Sequence, residues 1–600
     1  MPFSILASKL DRSNVNITLL QLLPGEGDQK IVCNTQTIPL KTKPRYETLS
    51  YVWGDQSTTR QITCGGSPKV ITESLFFALS QLRLPHETRT LWIDQLCIDQ
   101  TNKIEKSYQV SVMRSIYKEA SHGLIWLGKI PKEHDAGFDS NDVAVAFKGL
   151  ADLDAHGACA VPNDMASRHR LGEVVLALMG SSRARWQGVK WWQRIWTIQE
   201  AKLPTESSIL WGDQSVSFNA LKRVAVQLTR PGSAVTEGFE YLFSLGPLVN
   251  DFCIPIMNLQ INDPAPILGP LYRWRYREAT NPLDKVYALM GILPESSFQS
   301  VPFCDYTLST KELYTRVTVD LIRHDRGLLP VCGRRGEPRI TLGLPSWAVD
   351  WTLAYNPMQR STDYFGHCWR YNYFDCAKQL YVEPELTANN TGLILSGVKV
   401  DRIATLGPVN HLLNFRQLSN EEYDDHTRRT VHLWKAIFDS WSSSQPLGQS
   451  YVGTETMTTL QAFYRVLIGD LAYHYSSPDH RVSQEELAWV EAYIKSAFQS
   501  PITASVQDMA RSQAFFITDS GYLGIGPPDA QVGDEVWVLL CGNIPHILRP
   551  KPKATDESAE AQDQRQCLEF KYVGDAYVQG VMDGEVIDKS DGSFSRVVLY

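Results

Sequence analysis

Two stretches of the chain gather side chains able to do chemistry. In Leu91–Gln100, LWIDQLCIDQ, a short apolar run ends in Asp94, and Gln95, Cys97, Asp99 and Gln100 follow at once. Aspartates in such a turn either bind a ligand's hydroxyl groups or fix the turn and the next helix start through backbone N–H groups. For Asp94 the two readings stand level; for Asp99 the helix-cap reading leads. Cys97 would be a nucleophile only with a base such as His122 beside it, and a buried structural thiol is the more ordinary fate. The second stretch is Trp191–Glu200, WWQRIWTIQE. Read as a helix, it lines up Trp192, Ile195, Trp196 and Gln199 on one stripe and sets Glu200 one turn after Trp196, so that a carboxylate borders an aromatic surface. A core tryptophan stripe with Glu200 capping or pairing at its edge is the plainer alternative.

The elements that must position these groups read as a parallel sheet. Tyr46–Gly54, YETLSYVWG, alternates as a strand, with Leu49, Tyr51 and Trp53 on one side. Thr72 is placed to cap a helix through Leu75, Phe76, Leu79 and Leu82, with Pro85 just beyond its end. Leu91–Ile93 is then a strand, Val110, Met113, Tyr117 and Ala120 recur at helical spacing, and Leu124–Leu127 is a further strand before Gly128. This β-α-β-α-β rhythm predicts a parallel sheet with ligands at the carboxyl ends of its strands, where the polar turn at Asp94 lies. Trp53-Gly54 sits at such an end too, where its backbone N–H groups could meet a phosphate or simply close the strand. Arg194 is open to the same two readings, phosphate contact or surface ion pair.

At 600 residues the chain exceeds a single core. Its 43% hydrophobic and 21% charged residues are those of an ordinary globular protein. A formal net charge of -8 gives no electrostatic reason to expect nucleic acid or an anionic membrane as partner. The N-terminal stretch lacks a basic region followed by an apolar run, and a cytoplasmic location is the expectation. The 11 cysteines are scattered with no C-x-x-C pair, which speaks against a zinc module or a secreted disulfide framework, and no metal ligands are assigned. Phosphate-loop, G-x-S-x-G and H-E-x-x-H patterns are absent.

Along the chain, residues 1–45 read as a β-rich lead-in, 46–215 as the α/β domain, 216–500 as a mixed, mainly helical region and 501–600 as a small β-barrel-like domain. Asn281–Leu293, NPLDKVYALMGIL, has the spacing of an amphipathic helix, and Thr310–His324 of another. In the last hundred residues short apolar runs alternate with glycine and proline, broken by a polar loop at Lys551–Gln566.

Three segments together, YETLSYVWGD at Tyr46–Asp55, LWIDQLCIDQ with the following helix and WLG at Leu91–Gly128, and WWQRIWTIQE at Trp191–Glu200, resemble the fungal heterokaryon-incompatibility (HET) domain family in order and spacing. NPLDKVYALMGIL, LPSWAVDWT and the C-terminal GDEVWVLLCGNIPHILRP and YVGDAYVQGVMDGE look like the longer architecture of such proteins. The resemblance implies a role in fungal nonself recognition and programmed cell death. It also implies a TIR-like, flavodoxin-type N-terminal fold, whose enzymatic relatives cleave the nicotinamide–ribose bond of NAD with a glutamate in a W-x-x-x-E pattern.

That pattern stands here as Trp196-Thr197-Ile198-Gln199-Glu200. It makes Glu200 the candidate catalytic residue and NAD the candidate substrate. Trp53, Gly54, Asp94, Asp99, Trp192, Arg194 and Trp196 are then the candidate nucleotide-binding set. A carboxylate suits this reaction because the C–N bond breaks through an oxocarbenium-like state that negative charge stabilises, while indole faces stack on the base and exclude water. Self-association through the HET domain and an activating protein partner are the implied interactions. The competing reading is a non-enzymatic adaptor whose TIR-like face binds other domains. An open polar cleft around Glu200 would favour the enzyme; a flat surface or a locked salt bridge would favour the adaptor.

Overall fold

The computed structural model describes residues 15–157, 164–230, 248–261, 266–295, 297–333, 340–352, 370–410, 420–445, 450–452, 454, 456–474, 477–495, 502–551 and 568–600. The polar stretch read at Lys551–Gln566 falls, beyond Lys551, outside the described residues. The chain forms two compact units, Met1–Ser297 with Val301–Ser309, and Phe298–Ser300 with Thr310–Tyr600.

The first unit is built on a nine-stranded mixed sheet. In chain order its strands are β1 (Asn16–Leu22), β2 (Val32–Pro39), β3 (Glu47–Tyr51), β4 (Thr59–Cys64), β5 (Ser67–Thr72), β6 (Arg89–Trp92), β7 (His122–Trp126), β8 (Ser207–Trp211) and β9 (Gln214–Ser217). In space they run β5-β4-β2-β1-β6-β3-β7-β8-β9. The four central strands are parallel: β3 pairs with β6 on one side and with β7 on the other, and β8 follows β7. The strand that comes first in the chain thus lies between the second and the third. Residues 1–45 supply β1 and β2, and β1 pairs antiparallel with β6, so the lead-in is part of the same sheet.

Local chemistry explains the helices that flank this core. In α1 (Glu73–Leu82) the Thr72 hydroxyl accepts from the Leu75 N–H, and Leu75, Ala78, Leu79 and Leu82 are buried. In α2 (Lys103–Glu119) Asn102 caps the first turn, and Val110, Val112, Met113, Ile116 and Tyr117 form the inner face, with Tyr117 edge-on to Trp92. Beyond β7 come α3 (Ser140–His156), α4 (Met165–Leu178), the short α5 (Thr197–Lys202), α6 (Phe218–Leu228) and α7 (Asp284–Met290).

The second unit combines helices, among them α8 (Thr310–Asp325), α9 (Asn420–Ser442), α10 (Thr459–Ile468) and α11 (Gln484–Lys495), with a β-barrel. A two-residue strand β10 (Glu385–Leu386) pairs with β11 (Leu393–Val409), a seventeen-residue strand that also pairs in turn with three longer strands. The hairpin β12 (Leu471–His474) and β13 (Ser477–Arg481) stands apart. Then follow β14 (Ala514–Thr518), β15 (Leu523–Gly526), β16 (Glu535–Leu539), β17 (His546–Pro550), β18 (Leu568–Asp575), β19 (Tyr577–Val578) and β20 (Ser595–Leu599). β11 pairs with β20 through Leu393–Gly397, with β16 through Gly397–Arg402 and with β14 through Ile403–Val409. Pairing through β16, β17, β18 and β20 back to β11 closes a ring and removes exposed edges.

α7 is clamped to the first unit by polar contacts as well as by its buried face. Gln199 Nε2 donates to the Ala288 carbonyl at 2.8 Å, and Arg114 Nη1 donates to the Gly291 and Leu293 carbonyls at 3.0 and 2.7 Å. A Cβ at Gly291 would fall 2.2 Å from Gln199 Oε1, and Gln199 is itself buried and held. Gly291→Ala should therefore destabilise the protein by about 1–3 kcal/mol, measured as a lower denaturant midpoint with an unchanged slope; an unaltered midpoint would show that α7 can shift freely.

Candidate functional site

The carboxyl ends of β3 and β6 lie side by side because the two strands are parallel neighbours, and the side chains that leave them meet. From β6, Asp94 opens a single helical turn, its Oδ1 accepting the Gln95 N–H at 2.8 Å. From β3, the Trp53 indole N–H reaches across to Asp94 Oδ2 at 2.9 Å. Gln95 Oε1 in turn accepts the Tyr51 hydroxyl at 2.8 Å and that of Thr72 at 3.2 Å. The two strand ends are thereby tied into one polar rim, with Gly54 turning the chain away at a φ of 73°.

Glu200 approaches from α5 on the same side. The Ser50 hydroxyl donates to Glu200 Oε2, and Ser50 Oγ accepts the Trp191 indole N–H at 2.7 Å. Trp191, Ser50 and Glu200 thus form a buried relay that fixes the carboxyl group. Arg194 lies between the strand end and the helix and donates to the Tyr51 carbonyl.

Trp191–Glu200 is not one helix. A 3-10 turn, Trp191–Gln193, stops at Arg194, whose backbone is extended, and α5 starts only at Thr197. The break has a cause distant in sequence: the Ile195 N–H bonds to the Glu278 carbonyl and the Glu278 N–H to the Gln193 carbonyl, at 3.0 and 2.6 Å. Backbone pairing with a distant segment replaces the helical bonds and turns the two tryptophans apart. Trp192 is buried away from Glu200, its N–H bonded to the Leu178 carbonyl at 2.8 Å and its ring against Phe218. Trp196 faces the other way.

What results is a cavity of about 660 Å³ lined by Trp53, Gly54, Asp94, Arg194, Trp196 and Glu200, among others. Six of the eight residues proposed from sequence share this one space. Asp99 and Trp192 do not. Asp99 is exposed, its Oδ1 accepting the Thr101 N–H and hydroxyl at 3.0 and 2.6 Å, in the turn just before the Asn102 cap. Those bonds hold its carboxyl below the ordinary range. Cys97 is a buried thiol pushed up to about 12 by burial, and His122, at the start of β7 and bonded to Ser208, sits at the opposite end of the strands. The pairing needed for a cysteine nucleophile is not formed.

Comparison with known proteins can now be set beside this geometry. The heterokaryon incompatibility protein (HET) family model matches residues 46–200, and a Het-6 β-barrel domain model matches residues 394–593. The chain is 25% identical to Heterokaryon incompatibility protein 6, OR allele, of Neurospora crassa over 98% of its own length and 97% of the relative's. The chain carries a HET domain followed by a Het-6 β-barrel domain. No solved structure matches it. Among the described residues, no helix is long and apolar enough to cross a membrane and no cluster of His, Cys, Asp or Glu could hold a metal ion.

The HET match at 46–200 covers Ser50, Asp94, Lys106, Arg194 and Glu200 but stops short of part of the cavity, which is also lined by Glu278, Asp284 and Tyr306. Reading by motif missed Ser50 and Trp191, which look like sheet and core residues, and it read the helix around Asp284 only for its apolar face. The signal that was available is Asp284-Lys285, a charged pair inside an otherwise apolar helix, both side chains buried.

The electrostatics set Glu200 apart. It is 6% exposed, and burial pushes its carboxyl up to about 7, with Asp94 adding to the rise and Arg194 and the Ser50 hydroxyl opposing it. Burial raises Asp94 as well, against the pull of Arg194 and the Trp53 N–H. The sign of the consequence follows. Unfolded, Glu200 loses its proton near its ordinary value of 4.5; folded, it keeps it to about 7. Its contribution to stability is present below 4.5, falls as pH rises from there to 7, and is flat beyond. Glu200→Gln keeps the acceptor for Ser50 and removes the buried charge, so it should leave stability unchanged at pH 4.5 and raise it by about 1–3 kcal/mol at pH 8. Denaturant unfolding of both proteins at the two pH values checks this; a Gln variant no more stable at pH 8 would mean that Glu200 ionises without strain.

Proposed function

We propose that this HET-family protein acts in fungal nonself recognition and cell death, and that it does so as an NAD glycohydrolase whose active site is the cavity at the carboxyl ends of β3 and β6. The observation that carries this reading is the buried Glu200 carboxyl, oriented by Ser50 and Trp191, facing an open cavity with Asp94 rather than a salt bridge or a flat surface. The cavity volume lies within the roughly 300–1,000 Å³ of small-molecule and cofactor sites. The second-first-third-fourth order of the parallel strands supports the TIR-like, flavodoxin-type assignment, and the cavity lies at the carboxyl ends of two of those strands.

In the reaction, water adds to the anomeric carbon of the nicotinamide ribose as the C–N bond breaks. The bond's electron pair passes to the pyridinium nitrogen, giving neutral nicotinamide and ADP-ribose, and the water's proton goes to solvent. Glu200 as carboxylate holds the ribose hydroxyls and stabilises the positive charge that develops on the sugar. Asp94 takes a second hydroxyl, Trp196 and Trp53 offer aromatic faces, and Arg194 with Lys106 neutralises the pyrophosphate. Self-association through the HET domain, triggered by a protein partner, is the proposed route to activity.

Nicotinamide release from NAD by the purified, concentrated full chain tests this. Wild type should turn over, and Glu200→Gln and Glu200→Ala should lose at least about a hundredfold in kcat/KM. Because the charged form is the working one, kcat/KM should rise with pH through about 7 and then level, since 7 is where the free protein's Glu200 ionises. Equal turnover by either variant, or none by self-associated wild type, would overturn the assignment.

A further inference from the structure

Two cysteines outside the cavity face each other across neighbouring strands of the sheet. The β4–β5 hairpin at its edge joins the rest of the sheet through β2, by the parallel pairs Val32↔Thr63 and Cys33↔Cys64. The Thr63 N–H donates to the Ile31 carbonyl at 3.0 Å and the Gly65 N–H to the Cys33 carbonyl at 2.9 Å, so Cys64 is bracketed by bonds that fix its register. Side chains at paired positions of neighbouring strands leave from one face. Here that face is a buried one, since Ile31 and Ile62, two residues before each cysteine, are both buried. Neighbouring strands lie about 4.8 Å apart, within the roughly 4.4–6.8 Å that separates the Cα atoms of a disulfide. Cys33 Sγ already lies against β4, donating to the Thr63 carbonyl at 3.5 Å. Neither thiol is in a disulfide; Cys33 is fully buried and Cys64 half-buried. The hairpin is rooted at the cavity rim. The chain enters it from Gly54, which lines the cavity, and at its far end the Thr72 hydroxyl donates to Gln95 Oε1 at 3.2 Å. The Glu73 N–H ties the two roots together through the Thr58 carbonyl at 3.0 Å.

We propose that Cys33 and Cys64 are a hydroperoxide-sensitive pair that closes into a disulfide and pins the β4–β5 hairpin to β2. The half-buried Cys64 reacts first. Its sulfur attacks one oxygen of the hydroperoxide, the O–O bond breaks, and water or an alcohol leaves with the thiol's proton, giving a sulfenic acid. Cys33 Sγ then attacks Cys64 Sγ. The S–O bond breaks, and the hydroxyl group leaves as water with the Cys33 proton. Two electrons pass from the pair of thiols to the peroxide, and no other reactant is consumed. Burial pushes the Cys33 thiol well above its ordinary range, which keeps it from meeting the oxidant as a thiolate and leaves it to resolve the sulfenic acid beside it. In the reduced protein the hairpin is held to β2 across two register pairs; the disulfide adds a covalent tie at one of them. The inference stands apart from the reaction proposed for the cavity.

The test treats the reduced full chain with hydrogen peroxide, blocks the remaining thiols and maps the peptides without reduction. Wild type should give a peptide linking Cys33 to Cys64, two hydrogens lighter than its separate parts and lost on reduction with dithiothreitol. Cys33→Ser should leave Cys64 as a sulfenic acid that dimedone captures, and Cys64→Ser should leave Cys33 open to alkylation once the chain is unfolded. Hydrogen exchange reads the consequence for the hairpin. The amides of Ile62, Thr63 and Cys64 should exchange at least about tenfold more slowly in the oxidised than in the reduced protein, with no such change in peroxide-treated Cys64→Ser. Should Cys33→Ser not fold, Cys33→Ala keeps the site apolar and takes its place, and the wild-type map needs neither variant. Both thiols still open to alkylation after peroxide, Cys64 linked instead to Cys97 or to a second chain, or Cys64 carried on to sulfinic acid in wild type would overturn the pair. A linked pair with unchanged exchange in β4 would overturn the pinning.

Discussion

A carboxyl group kept out of water at the meeting point of two parallel strands is what the first unit is arranged around. Glu200 is costly to ionise there, and the surrounding structure limits that cost without removing it. Ser50 donates to it, Trp191 orients Ser50, and Arg194 stands near enough to favour the charged form. A fully compensated carboxylate would have an ordinary acidity and little chemical use near neutral pH, while an uncompensated one would stay neutral. The balance puts the group at about 7, where a small change in its surroundings changes its charge.

Keeping that site intact requires contacts from several elements that are far apart in the chain. β3 supplies Ser50 and Trp53, β6 leads into Asp94, α5 carries Glu200, and the segment at 278–306 contributes both the backbone partner of Gln193 and Ile195 and the Asp284–Tyr306 pair. Parallel sheets favour such convergence because the connections between strands leave all the carboxyl ends on one edge. The second unit solves a different problem. Its long strand β11 passes from β20 to β16 to β14 along its length, with register shifts inside its pairings with β16 and β14, and in this way one strand belongs both to a closed ring and to the β14–β15 extension.

Much of the first unit was legible because its signals are local. The alternation at Tyr46–Gly54, the Thr72 cap and the apolar spacing of Lys103–Glu119 each act within a few residues, and each corresponds to an element of the structure. The hairpin of β4 and β5 between the first strand and its helix escaped notice. Its outer residues are mostly polar and exposed, and only Ile62, Ile71 and Thr72 are buried. β11 was equally hard to join to the barrel, since helices intervene between it and the strands it pairs with.

By itself the sequence determined the HET motifs, the strand-helix rhythm of the sheet and the presence of acidic and aromatic groups at strand ends, because capping, alternation and motif spacing are properties of short windows. Only tertiary structure decided which of those groups share one space. The helix expected at Trp191–Glu200 would have put Trp192 and Trp196 on the same face. Hydrogen bonds from Gln193 and Ile195 to Glu278 break it there and send the two rings in opposite directions. Asp94 came to the site because β6 ends beside β3, where the Trp53 indole N–H meets it, and Glu200 because α5 packs on Ser50 of the same strand, whereas Asp99 is spent on local bonds to Thr101.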